Sequence, residues 1–342
     1  MNSNPLRTES IAPDRILEIG YGFRAAKALM SAVELGVFTE LAAGPLKLNP
    51  LAQRLGLDGR GARDFLDTLV ALRLLDRDEE GNYINTPEAM RYLDMNSPAY
   101  VGGVMLHLSS SEYTRWASLT DSLRSGQPRT AIGAAGNYLA RYADPQMTDT
   151  FVRAMTGGSL TAARALTHRF PWKDYTTVID IGTAQGCVPV SIAAAHDHIS
   201  GGGFDLPPIR PVFDDYVQRH NLAKRLQFYA GDFLNEPLPE AQVLIMGRVL
   251  HNWDLPTKRM LLQKAYSALP GNGVLIIYER FIDDARRTSV TGLLNSLNML
   301  VMTAGGFDYT PADCIAWMRE AGFRNLRTEV LTTDQSAVIG TK

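Results

Sequence analysis

The sequence is poor in the features that mark several protein classes. Its 342 residues contain only two cysteines, Cys187 and Cys314, which provide neither a disulfide framework nor a cysteine cluster for a metal. No apolar run approaches the roughly 18 residues that span a bilayer, and the first residues are polar, so we expect a cytoplasmic protein with no membrane partner. A net charge of −2 lacks the basic excess that favours nucleic-acid binding. Hydrophobic residues make up 45% of the chain, enough for a globular protein of about two domains.

The first hundred residues carry helical patterns and one hairpin pattern. Apolar residues recur at spacings of three and four from Ile16 to Val33, which predicts a helix with one apolar face. Two leucine-rich stretches predict short helices broken around Asp58, Gly59 and Gly61. A turn at residues 78–81 between apolar pairs predicts a β-hairpin. Together these patterns predict a mostly α winged-helix domain over residues 1–97.

The rest of the chain divides into two further predicted parts. Residues 98–170 are helical in pattern and predict a linking layer that contributes to a substrate pocket. Residues 171–342 alternate short β-branched or apolar runs with helical segments, which predicts a doubly wound, mostly parallel α/β sheet. The six runs read TTVIDIG, GGGFDL, LQFYAG, AQVLIMG, GVLIIYE and SAVIGT.

A glycine-containing turn follows the first of these runs. Gly182 and Gly186 stand where a strand turns into a helix, and glycine there lets a ligand approach backbone N–H groups. The fingerprint of NAD-binding proteins requires glycine where Ala184 and Cys187 stand, so it fails at two of three positions. A nucleotide-like ligand is favoured, although a tight structural turn explains such glycines about equally well.

The next two strand ends carry groups suited to a nucleoside. Asp205 ends the second run, 25 residues after Asp180, where a carboxylate can accept both ribose hydroxyls. Asp232 and Phe233 follow the third run and offer an acceptor for an exocyclic amine and an aromatic face for a purine. The carboxyl ends of parallel strands share one edge of the sheet, where ligands bind.

The motif RVLHNWD follows the fourth run and carries His251. A lone histidine is more often a packed or surface residue than a catalytic one. With this motif, however, the chain resembles the S-adenosylmethionine-dependent O-methyltransferases of the plant caffeate and flavonoid type and their bacterial relatives in secondary metabolism. The resemblance runs from the N-terminal domain through SLRSGQP to AGFRNLRT. It implies a Rossmann-like class I methyltransferase domain with a seven-stranded sheet, and a winged-helix domain that forms a homodimer.

The resemblance also implies site residues. It makes His251 the general base, flanked by the acids Glu279 and Asp308, the latter standing where the family usually has glutamate. It implies S-adenosyl-L-methionine as cofactor, S-adenosyl-L-homocysteine as product, and no metal. The implied cofactor-binding residues are Asp180, Gly182, Gly186, Asp205, Leu206, Asp232, Phe233, Gly247, Arg248 and Trp253.

The acceptor is expected to be a small aromatic or polyketide-like molecule. Leu294, Asn298, Met299 and Met302 recur at near-helical spacing, and methionine suits the wall of a site for a flat ring, although core packing explains such stripes more often. Met299 matches a methionine that lines the acceptor site in the resembling family. Further predicted substrate-binding residues are Trp116, Phe151 and Met155.

Alternative functions remain open at this point. The same fold and cofactor serve N- and C-methylation and some hydroxylations or decarboxylations of polyketides. A winged-helix DNA-binding regulator with a ligand-sensing domain is a rival of another class. Its recognition helix, however, would interleave Arg60 and Arg63 with Asp64 and Asp67, which leaves almost no positive field. An NAD oxidoreductase is disfavoured by the failed fingerprint.

Overall fold

A computed structural model describes residues 12–129 and 142–342, with backbone alone for residues 145–147. The chain divides into two units, Met1–Ser109 and Ser110–Lys342. No helix in the described ranges is long and apolar enough to cross a membrane. The boundary between the units, after Ser109, falls inside the predicted linking layer of residues 98–170, so this layer is divided between the two units.

The first unit is mostly helical and carries the predicted wing. A helix-turn-helix precedes a two-stranded antiparallel hairpin, and the unit has its own apolar core around Phe38, Leu51 and Leu66. The elements are α1 Asp14–Glu34, α2 Val37–Ala42, α3 Leu48–Arg54, α4 Gly59–Ala71, β1 Leu75–Arg77, β2 Tyr83–Asn85, α5 Pro87–Tyr92 and α6 Gly102–His107.

The break between the two short helices differs from the prediction. Gly59 and Gly61 lie inside the first turn of α4, and the break ends at Asp58. The Asp58 side chain caps α4 by accepting a hydrogen bond from the Arg60 backbone N–H at 2.9 Å. The pattern predicts a break around Asp58, Gly59 and Gly61, whereas in the structure the break lies before Gly59 and the Asp58 cap begins α4.

Helix α1 has two different apolar halves. Met30 and Val33, near its end, are buried in the core of the first unit. Ile16, Ile19 and Phe23, near its start, are 74%, 65% and 55% exposed. The first half of α1 therefore presents an apolar face that this unit leaves uncovered.

The second unit contains the predicted α/β sheet and the helices around it. Its strands are β3 Thr177–Ile181, β4 Ser200–Asp205, β5 Leu226–Ala230, β6 Val243–Gly247, β7 Val274–Glu279, β8 Arg324–Val330 and β9 Ser336–Thr341. Its helices are α7 Tyr113–Trp116, α8 Leu119–Ser125, α9 Pro145–Arg169, α10 Cys187–Ala195, α11 Arg210–Arg219, α12 Leu255–Ala268, α13 Val290–Met302 and α14 Pro311–Glu320, with 3₁₀ turns at Trp172–Asp174, Pro207–Ile209 and Leu250–Asn252. A π-helical turn, Leu108–Glu112, spans the boundary between the units.

The seven strands form one sheet in the order β5-β4-β3-β6-β7-β9-β8. The first five of these strands are parallel to one another. Strand β9 runs antiparallel to both of its neighbours, β7 and β8. The chain leaves β3 in one direction toward β4 and later returns to β6 on its other side. Such a reversal opens a crevice at the carboxyl ends of the strands, and the predicted site residues follow those ends.

Alternating residues of the strands bury two apolar layers. Val178, Ile245 and Ile276 belong to one cluster, while Ile179 and Leu244 belong to the other. Both faces of the sheet are therefore covered, as the near-continuous apolar runs predict. The mostly parallel seven-stranded sheet is confirmed.

Candidate active site

The turn after β3 has the close backbone approach that its glycines predict. Gly182 and Gly186 have φ angles of +75° and +87°, which favour glycine. A Cβ on Gly182 would lie 2.8 Å from the Val249 side chain, and one on Gly186 would lie 2.5 Å from the Phe213 ring. Helix α10 begins at the next residue and directs its first N–H groups toward this turn.

Two buried carboxylates lie beside this turn. The Asp205 carboxylate accepts hydrogen bonds from the backbone N–H groups of Ala184, at 2.9 Å, and Leu206, at 2.8 Å. Burial raises the pKa of Asp205 to about 6 and that of Asp180 to about 8, and the charge of Asp205 adds to the effect on Asp180. A pKa of about 6 leaves Asp205 mostly ionised at neutral pH, whereas Asp180 needs a further hydrogen-bond donor or a positive charge next to it in order to ionise.

The predicted purine side brings two aromatic rings together. Phe233 and Trp253 meet edge to face, with ring centroids 5.8 Å apart. The Asp232 carboxylate accepts from the Leu234 backbone N–H at 2.9 Å and from the Asn235 amide at 2.7 Å. These two bonds order the loop after β5, and they occupy part of the acceptor capacity that we expected to serve an amine.

The end of β6 has an unusual backbone conformation. Arg248 has a φ of +57°, and its N–H donates to the Tyr278 carbonyl at 3.0 Å. A Cβ on Gly247 would lie 2.0 Å from the Tyr278 ring, and one on Gly158 would lie 2.4 Å from the Arg248 guanidinium. Burial lowers the pKa of Arg248. The turn thus holds a cation close to the backbone of α9.

His251 lies in a buried cluster with both predicted acids. Its Nδ1 is 3.3 Å from Asp308 Oδ1 and 3.8 Å from Glu279 Oε2. His251, Glu279 and Asp308 are 4%, 1% and 2% exposed, so they are not surface residues. Although Asp308 is one methylene shorter than glutamate, it is the closer of the two acids. The geometry directs Nδ1 to the carboxylates and leaves Nε2 for another partner.

The two acids change the titration of the imidazole. Burial opposes its charging, but the negative charges of Glu279 and Asp308 outweigh this effect and raise the pKa of His251. Burial also raises the pKa of Glu279, while the neighbouring imidazole lowers it. The cluster is therefore arranged to stabilise a positive charge on His251.

Two further residues contact or neighbour this cluster and were not predicted. The Asn295 amide nitrogen donates to Asp308 Oδ2 at 2.7 Å and lies 3.1 Å from His251 Nδ1. Lys258 is fully buried, with its Nζ 3.5 Å from the centre of the Phe307 ring. Burial lowers the pKa of Lys258 to about 8, whereas the charges of the two acids raise it. The spacing on α13 could have indicated Asn295 as a site residue, because it lies about one turn before Asn298. No sequence pattern indicates that Lys258 is buried.

The same three side chains also have the composition of a metal site. One donor atom from each of His251, Glu279 and Asp308 lies within 4.8 Å of the others. The Asn295 amide nitrogen, however, lies within hydrogen-bond distance of both Nδ1 and Asp308 Oδ2, so it occupies a position next to two of the potential ligand side chains. The arrangement therefore fits a hydrogen-bonded imidazole better than a coordinated cation.

Several predicted acceptor residues come together on α13. Asn298, Met299 and Met302 are buried, and Asn298 Oδ1 accepts from Trp116 Nε1 at 2.8 Å. Leu294 departs from this group because it is 48% exposed.

Phe151 and Met155 lie one turn apart on α9. Phe151 packs against the core of the sheet, with its ring centroid 6.1 Å from that of Tyr142. Met155 is half-buried. Their role at an acceptor site stays a prediction.

Comparison with known families matches both units. An O-methyltransferase domain model matches residues 116–324, and an O-methyltransferase dimerisation domain model matches residues 17–95. The first match covers more than half of the chain.

Similar proteins include enzymes of bacterial secondary metabolism. The tetracenomycin polyketide synthesis 8-O-methyl transferase of Streptomyces glaucescens is 38% identical, over 96% of this chain and 97% of that protein. An N,N-dimethyltransferase of Streptomyces rimosus is 35% identical, over 96% and 95% of the two chains. Human N-acetylserotonin methyltransferase, solved in complex with S-adenosylmethionine, superposes with a TM-score of 0.90 at 26% identity, covering 98% of this chain and 99% of that one.

Proposed function

Because the chain belongs to the O-methyltransferase family and is an S-adenosylmethionine-dependent enzyme, we propose that it methylates a hydroxyl of a small aromatic or polyketide-like metabolite, with His251 as general base. The observation that carries this proposal is the buried imidazole with both carboxylates on its Nδ1 side. A base oriented in this way has Nε2 free to accept a proton from a substrate.

The residues around the β3 turn fit the cofactor. When bound, S-adenosylmethionine supplies a methyl group on a positively charged sulfur, and S-adenosylhomocysteine is left after transfer. Burial raises the pKa of both Asp180 and Asp205, so a hydroxyl or ammonium donor of the cofactor next to them would stabilise their ionised forms. Gly182 and Gly186 hold the backbone of this turn at positive φ, and α10 begins at the next residue with its first N–H groups directed toward the turn. We assign the ribose to Asp205 and the adenine to Phe233.

His251 acts on the acceptor in this proposal. A phenol has a pKa near 10 and is mostly neutral at pH 7, so its oxygen becomes a better nucleophile when Nε2 takes the proton. The oxygen forms the new bond to carbon as the carbon–sulfur bond breaks. Glu279 and Asp308 stabilise the imidazolium that results. Proton removal of this kind contributes about 10²–10⁴ in rate.

Nitrogen methylation is the second candidate. It is favoured by the N,N-dimethyltransferase among the similar proteins, at 35% identity. A neutral amine already has a lone pair and needs no base before attack. The buried His251 cluster therefore favours a hydroxyl acceptor over an amine.

The test is methyl transfer from labelled cofactor to matched pairs of phenols and aromatic amines, including polyketide-type phenols. We expect label in the phenols and S-adenosylhomocysteine formed in equal amount. Transfer to amines alone would replace the proposal with the second candidate.

We place the partner subunit on the exposed half of α1. The chain matches a dimerisation domain over residues 17–95, and Ile16, Ile19 and Phe23 form an apolar face there. A second copy of the chain that covers this face would remove it from water.

A further inference from the structure

Arg115 is a partly buried cation on α7 next to the proposed acceptor residues. Its Nη1 donates to Ser111 Oγ at 2.8 Å and lies 3.8 Å from Met302 Sδ. The next residue, Trp116, donates to Asn298 on the same helix face as Met302. Helix α7 thus directs both an indole and a guanidinium toward one face of α13.

The Arg115 guanidinium has unused donors and contacts no carboxylate of the described residues. Within residues 12–129 and 142–342, no carboxylate oxygen lies within 4.0 Å of Arg115. Burial lowers the pKa of Arg115, and Glu112 opposes this through space. Arginine carries five N–H donors in a planar fork that matches a carboxylate, and Ser111 Oγ and Met302 Sδ take at most two of them.

The spacing on α13 gives a distance from the proposed base. Asn295 lies 3.1 Å from His251 Nδ1, and Met302 is seven residues further along the helix. Seven residues correspond to about two turns and about 10 Å. This distance corresponds to the length of two to three fused six-membered rings. Asn298 and Met299 lie between Asn295 and Met302 on the same face of α13.

Resting on the proposed function, we propose that Arg115 binds an anionic group of the acceptor, at the end opposite the hydroxyl that is methylated. The acceptor class is then a hydroxylated aromatic acid of two to three fused rings, with a carboxylate at the Arg115 end. Its rings would lie along the α13 face.

A purely structural role for Arg115 would act through Ser111. The bond between them links α7 to the π-helical turn before it. The Ser111→Ala variant removes that bond and keeps the charge, so it is the matched control. Arg115→Met removes the charge, and Arg115→Lys keeps a charge without the fork.

The experiment uses hydroxylated two- and three-ring aromatic carboxylic acids, each beside its primary carboxamide. Methyl transfer and binding in the presence of S-adenosylhomocysteine are measured for the wild type and the three variants. We expect the wild type to prefer the acids. A hydrogen bond to a charged group is worth enough that Arg115→Met should raise KM for the acids about 10- to 100-fold. KM for the amides, and kcat, should change little, and Ser111→Ala should resemble the wild type.

Different failures separate the two proposals. Equal use of acids and amides by the wild type, or equal losses for both in Arg115→Met, would overturn the role of Arg115 while leaving the hydroxyl methylation in place. If neither an acid nor an amide is methylated although S-adenosylhomocysteine binds, the proposed function itself fails. The comparison of acid with amide in the wild type decides the case even if a variant does not fold.

Discussion

The pH dependence of methyl transfer should be set by the acids around His251. The imidazole must be neutral to accept a proton, and Glu279 and Asp308 raise its pKa against the effect of burial. Activity is therefore lost as the pH falls through that raised pKa. The Asp308→Asn substitution removes one negative charge at nearly constant shape, and the Asn295 amide keeps an oxygen to which it can donate.

The size of the effect follows from the distance between the groups. Asp308 Oδ1 lies 3.3 Å from Nδ1, and both side chains are buried, so solvent screens the pair little. An opposite charge within about 4–6 Å shifts a pKa by roughly 1–3 units, which is about 1.4–4 kcal/mol. The acid limb of kcat/KM in Asp308→Asn should move to lower pH by that amount, and the rate on the plateau should fall because the imidazolium loses a partner.

The assay is kcat/KM for one phenol acceptor across the acid and neutral range, with label transfer as readout. Asp215→Asn is the control, because Asp215 is exposed on α11 and the variant also removes one negative charge. S-adenosylhomocysteine affinity reports that the cofactor side is intact. An acid limb that stays at the wild-type position in Asp308→Asn would refute the coupling between the acid and the base.

Three other perturbations test the buried lysine, the glycine turn and the exposed helix face. Lys258→Met removes an ammonium whose pKa is lowered from 10.5 to about 8 in the folded protein. Above pH 8 the unfolded wild-type chain binds more protons than the folded one, so the free energy of unfolding of the wild type should rise relative to the variant by up to about 3 kcal/mol from neutral to alkaline pH. A difference between the two proteins in urea unfolding that does not change with pH would contradict this. Gly182→Ala forces a Cβ against Val249 at a φ of +75°. We expect weaker S-adenosylhomocysteine binding or a loss of about 1–3 kcal/mol in stability. An unchanged affinity in calorimetry together with an unchanged free energy of unfolding would show that the turn is not tight. Ile19→Glu places a charge on the exposed half of α1; sedimentation should show a monomer, and a dimer of wild-type strength would move the interface elsewhere.

The strand ends could be predicted from sequence because they follow from local patterns. A buried parallel strand reads as a short apolar run, so the positions of Asp180, Asp205 and His251 after such runs already placed them on one edge of the sheet. The family resemblance then predicted that Glu279 and Asp308 lie next to His251. In the structure, Asp308 Oδ1 and Glu279 Oε2 lie 3.3 Å and 3.8 Å from His251 Nδ1.

Other features depend on packing that no local pattern reveals. Strand β8, Arg324–Val330, was not predicted because it lies at the edge of the sheet and its side chains are mostly exposed, so its apolar positions do not alternate. Lys258 reads as a surface residue of a helix, yet it is buried against Phe307. Asn295 faces His251 only because α13 packs across the 3₁₀ turn that carries the imidazole.

The most direct measurement of the central proposal compares chemistry with cofactor binding in one variant. In His251→Ala, single-turnover methyl transfer to a phenol is followed with bound cofactor, and S-adenosylhomocysteine affinity is measured by calorimetry. We predict an unchanged affinity and a rate lower by about 10²–10⁴. A transfer rate equal to that of the wild type, at the same affinity, would contradict the assignment of His251 as the base.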